Sequence, residues 1–507
     1  MDEATYIQSL IAQYLKDNGL KSTLNALEHE LDKKFTDSVH DESLESIIKD
    51  RINFNDLPQF LSNETNADDS NNNIVNTLDT SNQSQIIKSK NIKLPNWSIK
   101  YPNSCQILNL GNLNSLIINS SFFHSIINNQ TYHLGLFVTN TKYIFIIDLI
   151  SNEILLTCYD ILNGQPIKII KGITHTEHLI VCDMNGNITS MKFIISNDGN
   201  WNLVNSLLSN DSKIKLHRRL ITDLKYLNMK SLSSKSSTLL GYFTSIGWDN
   251  RICVGKVELI NEKIKFTIIG DFKLFTNPTS ILIIKDKISN LPLIIVGRLE
   301  STLLTIFTIS FDKLIELTKL SLNDSEFSTH SFQPMAITEI SSSSDNNTII
   351  TVATNHIPYM RLITLVVPSL NEIFSNELNK DSTDLENINS ILLKLSLNND
   401  NENIESFQSN KPIMRSYIIS NFNSLSPQDK YSNAILLSRP KCSGIWIPGD
   451  DGKLRGFDLR TGNVIETLNS NDGRAKSAFI GNFGVDSEVI VICGAVDKKI
   501  CIWKCSS

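Results

Sequence analysis

This sequence lacks several features that mark metal sites, secreted proteins and membrane proteins. Its eight cysteines form no Cys-x-x-Cys pair and have no histidine partner at zinc-ligand spacing, and most lie inside apolar runs. No apolar run approaches the roughly 18 residues of a membrane-spanning helix. The first residues, MDEATYIQSL, are acidic where a secretory signal peptide is basic. We therefore expect a protein of the cytoplasm, the nucleus or both, with no bound metal and no membrane partner.

Motifs of catalysis and a nucleic-acid surface are missing as well. The chain has no P-loop, no HExxH, no dinucleotide GxGxxG and no GxSxG elbow. Its formal net charge of -6 disfavours broad phosphate binding, because nucleic-acid surfaces usually show as a basic domain or stripe. A local basic spot remains in the HRRL stretch, residues 217–220. The sequence predicts no enzyme, no cofactor and no nucleic-acid partner.

The chain is long enough for a large core, and its composition changes along its length. With 507 residues, of which 41% are hydrophobic, two or three folded units are expected, or one large all-β unit with additions. Residues 1–57 have the apolar spacing of helices. Residues 58–92 are rich in Asn and Ser and poor in aromatics, so they predict a flexible linker. Residues 93–507 have the short apolar runs of an all-β fold.

The helical zone contains two short amphipathic helices separated by Asp17-Asn18-Gly19. The second is expected to begin after Ser22 as its N-cap, and a third to cover 42–57. Helices this short cannot bury their apolar stripe alone. The stretch LIAQYLKDNGLKSTLNALEHEL resembles the LisH motif, an α-helical dimerisation module, which implies a homodimer. An amphipathic hairpin packed on the rest of the chain is the alternative. The positions expected in the dimer interface are Ile11, Tyr14, Leu15, Leu24 and Leu27.

A repeated turn runs through the β zone. In GWDNRICVGKV, GDDGKLRGFDL and GAVDKKICIW, an aspartate stands at the turn that precedes a strand. These stretches resemble the WD repeat, whose four-stranded unit is one blade of a β-propeller. Weaker copies place turns near residues 141, 185, 301 and 355. Seven turns predict a mainly β fold with about seven blades, six and eight being the alternatives. Intervals longer than the ~40–45 residues of a WD repeat predict inserts near 226–238 and 370–410.

The resemblance to WD repeats implies a buried hydrogen-bond network of an aspartate, a histidine, a serine or threonine and a tryptophan. The third blade supplies His217, Ser245 and Asp249, but Gly255 stands at the tryptophan position. Ser245 lies inside an apolar strand without a nucleophile elbow, so the three residues predict a structural network and not a hydrolase. The corresponding residues of the last two blades are Asp451, Asp497 and Trp503.

Two further stretches carry candidate partner contacts. The stretch NHIPYMRL combines His356, Tyr359 and Arg361, a mixture found at binding hot spots, but a core tyrosine beside a solvated arginine is the interpretation that this composition favours. The stretch GFDLRTG resembles the signature by which some WD-repeat proteins dock on the adaptor of a cullin-type ubiquitin ligase. Its matching residues are Phe457, Asp458 and Arg460, and Gly456 is small where that family has an aliphatic residue.

Two segments must pack against residues that are not adjacent to them in the sequence. The last strand, KICIW, has no neighbour after it, so residues 104–110 are expected to pair with it and close the ring, with 96–101 as second choice. Residues 383–395 predict a helix with one apolar face. That helix has three possible roles: a partner's groove, the propeller itself, or a transient helix in a disordered loop.

Together these features predict a non-enzymatic scaffold that dimerises through its LisH module and presents a propeller to other proteins of a multisubunit complex. A substrate receptor or subunit of a ubiquitin ligase is the first alternative. A transcriptional corepressor and a subunit of a dynein or microtubule regulator are further alternatives, because the same combination of modules occurs in those systems.

Overall fold

The computed structural model describes residues 3–35, 44, 94, 97, 101–108, 115–196, 198–208, 213–232, 237–323, 332–340, 347–374, 384–398, 411–439, 444–483 and 488–505. The chain divides into two compact units. One contains the N-terminal helices and the other contains the β-strands. The expected linker and nearly all of the expected helix 42–57 lie outside the described residues.

The N-terminal unit contains helices α1 (Glu3–Asp17) and α2 (Lys21–Glu30). The chain reverses at Gly19, whose φ of 71° favours glycine. The prediction that Ser22 caps α2 is wrong, because α2 begins at Lys21 and the amide of Leu24 already donates to the carbonyl of Leu20. Ser22 therefore lies within the first helical turn.

The second unit is a seven-bladed β-propeller, as predicted. Its first strand, β1 (Ser104–Leu108), belongs to the last blade. Blade 1 contains β2 (Ile117–Ile127), β3 (Gln130–Thr139), β4 (Tyr143–Asp148) and β5 (Ile154–Tyr159). Blade 2 contains β6 (Ile167–Gly172), β7 (His178–Asp183), β8 (Asn187–Ile195), β9 (Trp201–Asn205) and β10 (Ile214–Lys215). Blade 3 contains β11 (Ile221–Leu232), β12 (Ser237–Gly247), β13 (Arg251–Ile260) and β14 (Lys263–Lys273).

The remaining blades follow in chain order. Blade 4 contains β15 (Pro278–Lys285), β16 (Pro292–Arg298), β17 (Leu303–Ser310) and β18 (Lys313–Ser321). Blade 5 contains β19 (Pro334–Ile340), β20 (Thr348–Thr354) and β21 (Tyr359–Val367). It is completed by β23 (Ile418–Pro427), while β22 (Ile413–Met414) adds to blade 4. Blade 6 contains β24 (Leu437–Ser438), β25 (Ile445–Pro448), β26 (Lys453–Phe457) and β27 (Val464–Asn469). Blade 7 contains β28 (Ala475–Asn482), β29 (Glu488–Gly494) and β30 (Ile500–Lys504).

The hydrophobic core lies between neighbouring blades. Phe123 of blade 1 stacks on Phe193 of blade 2 with ring centroids 5.9 Å apart, and Phe137 packs against Phe479 of blade 7. Each inner strand carries apolar side chains toward both adjacent blades, because the sheets are radial and both faces are covered. Every blade thus depends on its two neighbours for burial.

Ring closure follows the prediction. All five residues of β1 pair antiparallel with β30, from Ser104 opposite Lys504 to Leu108 opposite Ile500. The described residues of the second-choice segment, 96–101, pack on blade 6 instead of pairing with β30. Trp97 and Tyr101 lie against the buried indole of Trp446 in blade 6.

The two expected inserts differ from each other. Strands β11 and β12 cover most of 226–238 and still pair at Leu232 and Thr238, so the described residues of this stretch belong to the sheet of blade 3. The 370–410 segment contains α3 (Leu370–Ile373) and α4 (Asp384–Asn398). Helix α4 folds back on blade 4, where the amine of Lys313 donates to the carbonyl of Ser396.

Candidate interaction surfaces

One end of the propeller collects all seven predicted turns. Antiparallel strands place the connection from the second to the third strand, and the link from the fourth strand to the next blade, at the same end of each blade. We call this end the upper face. Its second-to-third connections are 140–142, 184–186, 248–250, 299–302, 355–358, 449–452 and 495–499. The predicted positions 141, 185, 249, 301, 355, 451 and 497 each lie in one of them.

The predicted histidine, serine and aspartate of blade 3 meet. The Nδ1 atom of His217 is 2.8 Å from Oδ1 of Asp249, and its Nε2 is 2.9 Å from Oγ of Ser245. The second oxygen of Asp249 accepts the backbone amide of Arg218 at 2.8 Å. The aspartate therefore ties the turn of blade 3 to the link 216–220 that precedes the blade.

The protonation of this network follows from its burial. Burial lowers the pKa of His217, although the hydrogen bond and charge of Asp249 oppose the shift. Burial also raises the pKa of Asp249, but the bonds from His217 and the amide of Arg218 outweigh it, so the net shift is downward. At neutral pH an ionised Asp249 thus accepts from a neutral imidazole. Ser245 is fully buried, so its hydroxyl is inaccessible to a substrate.

The same link between turn and preceding loop recurs in four other blades. Asp497 accepts the amide of Asp472 at 3.2 Å, and Asn355 accepts the amide of Gln333 at 2.8 Å. The other two acceptors were missed. They are Asn140, which accepts the amide of Leu116 at 2.9 Å, and Asp450, which accepts the amide of Asp429 at 2.9 Å. Both stand one residue before the predicted turn position. The polar side chain at that place is the feature from which the sequence could have predicted them.

Two predicted network residues, Asp451 and Trp503, do not make the contacts that the resemblance to WD repeats implies. Asp451 accepts two hydrogen bonds from the guanidinium of Arg455 in its own hairpin, at 2.6 and 3.0 Å. Trp503 lies buried in β30, and its indole N–H has no hydrogen-bond partner in the described part of the chain. The last blade thus keeps the aspartate link without the tryptophan contact.

The three candidates of the NHIPYMRL stretch do not form a common exposed group. Nδ1 of His356 is 2.6 Å from Oγ1 of Thr354, and Nε of Arg361 donates to Oδ1 of the buried Asn421 at 2.9 Å. Burial lowers the pKa of Arg361. Tyr359 alone of the three is exposed.

The candidates for adaptor docking lie at the opposite end of blade 6. Phe457 is fully buried, and buried Asp458 accepts the amide of Arg460 at 2.9 Å and its guanidinium at 3.3 Å. A Cβ on Gly456 would lie 2.5 Å from the indole of Trp97. The glycine at this position is therefore required by Trp97, which occupies the space that a larger side chain would need.

The five residues expected in a dimer interface have unequal exposure. Leu15 is buried within the single chain, whereas Ile11, Leu24 and Leu27 are half-buried. Tyr14 is 36% exposed, and the neighbouring Leu20 is 44% exposed. Tyr14 is consequently the position where a charge would disturb an intermolecular contact with the least effect on the chain's own packing, and Leu24 offers a half-buried position on the second helix.

Exposed aromatic side chains are concentrated on the upper face. Six aromatic side chains of the propeller are exposed within the described ranges. Five lie in upper-face connections or at the strand ends beside them: Tyr159, Trp248, Phe275, Tyr359 and Tyr431. Only Phe311 lies at the opposite end. Aromatic side chains are enriched at protein interfaces, so this distribution distinguishes the two ends of the propeller.

The described residues contain neither a candidate metal site nor a candidate membrane-spanning helix. No group of three histidine, cysteine, aspartate or glutamate side chains among them is arranged to hold a metal ion. None of the described helices is long and apolar enough to cross a membrane.

Comparison with known proteins places the chain in a family. A protein of Saccharomyces cerevisiae, the uncharacterized protein YGR117C, is 25% identical over 98% of this chain and 96% of its own length. The β-propeller domain of Cps50 (Swd1) from Myceliophteria thermophila is 9% identical, with a TM-score of 0.47 over 80% of this chain and all of that one. The family models of the UCP007778 LisH domain and β-propeller domain match residues 5–38 and 74–504. The chain belongs to the UCP007778 family.

Proposed function

We propose that this protein is a non-enzymatic scaffold: it dimerises through its LisH helices and binds other proteins on the upper face of its propeller. The observation that carries the proposal is the concentration of exposed aromatic side chains at that end. Large, rigid aromatic side chains bind partners at low entropic cost. A dimer would present two such faces to one assembly, and the second contact would then be intramolecular and strengthen the whole.

The burial of Ser245 also supports a scaffold. A nucleophile must reach its substrate, whereas this hydroxyl is enclosed and engaged by His217. The corepressor, the dynein-regulator subunit and the ligase receptor differ only in the partners that they bind. The ligase receptor has the weakest support among them, because Phe457 and Asp458 are buried within blade 6.

The upper face is tested by removing two of its aromatic side chains. Tyr359→Ala combined with Tyr431→Ala is expected to abolish recovery of the proteins that co-purify with the tagged full-length chain, because both rings are exposed and neither supports the core. Phe311→Ala is the matched control, since it removes an exposed ring from the opposite end. If the double variant and the control recovered the co-purifying proteins equally well, the upper face would not be the binding surface.

Dimerisation is tested by placing a charge at one exposed position of α1 and one half-buried position of α2. We expect the full-length protein to have twice the 57.0 kDa mass of one chain in sedimentation equilibrium, and Tyr14→Asp with Leu24→Asp to have the mass of one chain. A buried carboxylate without a partner costs several kcal/mol, which a short helical interface cannot offset. Asn25→Asp, an exposed neighbour in α2, is the control. A wild-type protein that is monomeric at micromolar concentration would contradict this part of the proposal.

A further inference from the structure

A basic group of side chains stands on the upper face between blades 2 and 3. Arg218 and Arg219, in the link 216–220, are both exposed, and Lys215 precedes them at the end of β10. Neither guanidinium has an ion-pair partner among the residues that the structure describes. The amine of Lys215 donates to the carbonyl of Asn185 in the adjacent turn, which holds its charge at the same end of the blade.

Two described carboxylates beside this group, those of Asp249 and Asp183, do not neutralise it at the surface. The side chain of Asp249 is 7% exposed, and its two oxygens accept from His217 and from the amide of Arg218. Asp183 is buried, and it accepts from the turn of its own hairpin and from Lys213. Among the described residues, this part of the upper face therefore presents positive charge to solvent, although the formal net charge of the chain is -6.

Aromatic side chains flank the positive charges. Trp248, which is 58% exposed, lies in the turn of blade 3, and its amide donates to the carbonyl of Leu220 at 3.0 Å. Phe275, 53% exposed, lies in the following link, where the amide of Leu274 donates to the carbonyl of Asn250 in the same turn. Trp248 thus lies between two links that are both bonded to its own turn. We call Lys215, Arg218, Arg219, Trp248 and Phe275 the basic patch.

The basic patch is held rigidly in place before any partner arrives. The amides of Leu216 and His217 donate to the carbonyl of Gly186 at 3.0 and 3.1 Å, and the buried His217 ring bridges Ser245 and Asp249. A Cβ on Gly186 would lie 2.4 Å from backbone oxygens of this link, so the packing there is close. A loop anchored in this way loses little conformational entropy on binding.

We propose that the basic patch binds an acidic segment of a partner protein. Carboxylates of the segment pair with Arg218 and Arg219, and an aromatic or aliphatic side chain packs on the indole of Trp248. Paired arginines and an exposed tryptophan are the side chains that most often dominate protein interfaces. The patch is too small for a nucleic acid, which requires a basic stripe, and the formal net charge of the chain is -6. This inference rests on the proposed binding role of the upper face and names the partner chemistry.

The test uses random short peptides displayed on phage and selected on the full-length protein. We expect the enriched peptides to have net negative charge and a tryptophan, phenylalanine or leucine. Synthetic copies should bind Arg218→Glu/Arg219→Glu at least about tenfold more weakly than wild type, and Trp248→Ala should weaken them similarly. Affinity should also fall with added salt. The control Lys263→Glu/Lys265→Glu makes the same charge change at the other end of blade 3 and should bind as wild type.

Each other result would overturn the inference. Enrichment of neutral or basic peptides, or no enrichment, would exclude recognition of an acidic segment. Equal weakening by both charge-reversed variants would indicate non-specific attraction, as would stronger binding of a single-stranded oligonucleotide than of the selected peptides. If binding of the selected peptides required Tyr359 and Tyr431 but not the arginines, the basic patch would be excluded as the binding site. The upper face would remain the binding surface. Unfolding curves of all variants should match wild type, because the substituted side chains are exposed.

Discussion

Glu488→Gln is expected to lower the free energy of unfolding of the propeller by about 3–5 kcal/mol. Glu488, 3% exposed, lies at the start of β29 in blade 7, and its carboxylate accepts from Nε of Arg439 at 2.9 Å. It also accepts the indole N–H of buried Trp446 in blade 6 at 2.7 Å. Burial raises the pKa of Glu488, and the charge of Arg439 and the hydrogen bonds from Arg439 and Trp446 oppose this rise only in part. Glutamine keeps the shape but only one acceptor oxygen. It therefore removes the charge beside a guanidinium that is 1% exposed and leaves either Arg439 or Trp446 without its acceptor.

Urea unfolding of the full-length protein and its variants provides the measurement. Asp223→Asn is the matched control, because it removes the same charge from the partly exposed pair with Lys225 and should cost about 1 kcal/mol or less. Replacing both members, as Arg439→Met with Glu488→Leu, should recover much of the loss, since an apolar pair avoids the desolvation of two ions. A Glu488→Gln protein as stable as the control would mean that the buried pair contributes no stability between the two blades.

Deletion of residues 1–110 is expected to have the other large effect, a propeller that unfolds at a much lower temperature or does not fold. The deletion removes β1 and leaves β30 as an exposed edge strand. It also removes Leu94, which is buried between blades 5 and 6, and Trp97, which packs on Trp446. Loss of this apolar burial costs on the order of 5 kcal/mol, which approaches the whole stability of a typical domain.

Deletion of residues 1–73 is the control, because it leaves intact every residue that the family's propeller domain matches. It should retain the thermal unfolding transition of the full-length protein. Trp97→Ala should give an intermediate transition, since the guanidinium of Arg439 lies 3.9 Å from the centroid of that ring and would lose its cover. If the two deletions unfolded at the same temperature, β1 and the residues before it would be dispensable for closing the ring.

The fold was accessible from the sequence because its signals are local. An aspartate at a tight turn and the short apolar strand after it lie within a few residues, so the three clear copies and four weak ones sufficed to count seven blades. The LisH helices were equally readable from their apolar spacing and the glycine between them. The sequence did not show that Asp450, and not Asp451, accepts the hydrogen bond from the preceding link in blade 6. Two adjacent aspartates suit the same turn, and which of them is bonded depends on where Asp429 lies.

The candidate surfaces were less accessible, because exposure depends on distant parts of the chain. The NHIPYMRL and GFDLRTG stretches have the composition of contact sites, yet Arg361 bonds to Asn421 and Phe457 is enclosed. Conversely, the HRRL stretch, residues 217–220, shows in the sequence only as a local basic spot. Its importance arises from Trp248, about thirty residues later, which the turn of blade 3 brings to the same face.

What the sequence by itself determined is the set of modules: two helices of LisH type, and a seven-fold repeat of short strands with polar turns, each specified by residues close to one another in the chain. Only the tertiary structure decided which of these residues meet. It placed Trp97 on Trp446, Glu488 beside Arg439, and five of the six exposed aromatic side chains at one end of the propeller. The physical reason is that burial and charge pairing act between side chains that are close in space, and a closed ring makes neighbours of residues hundreds of positions apart.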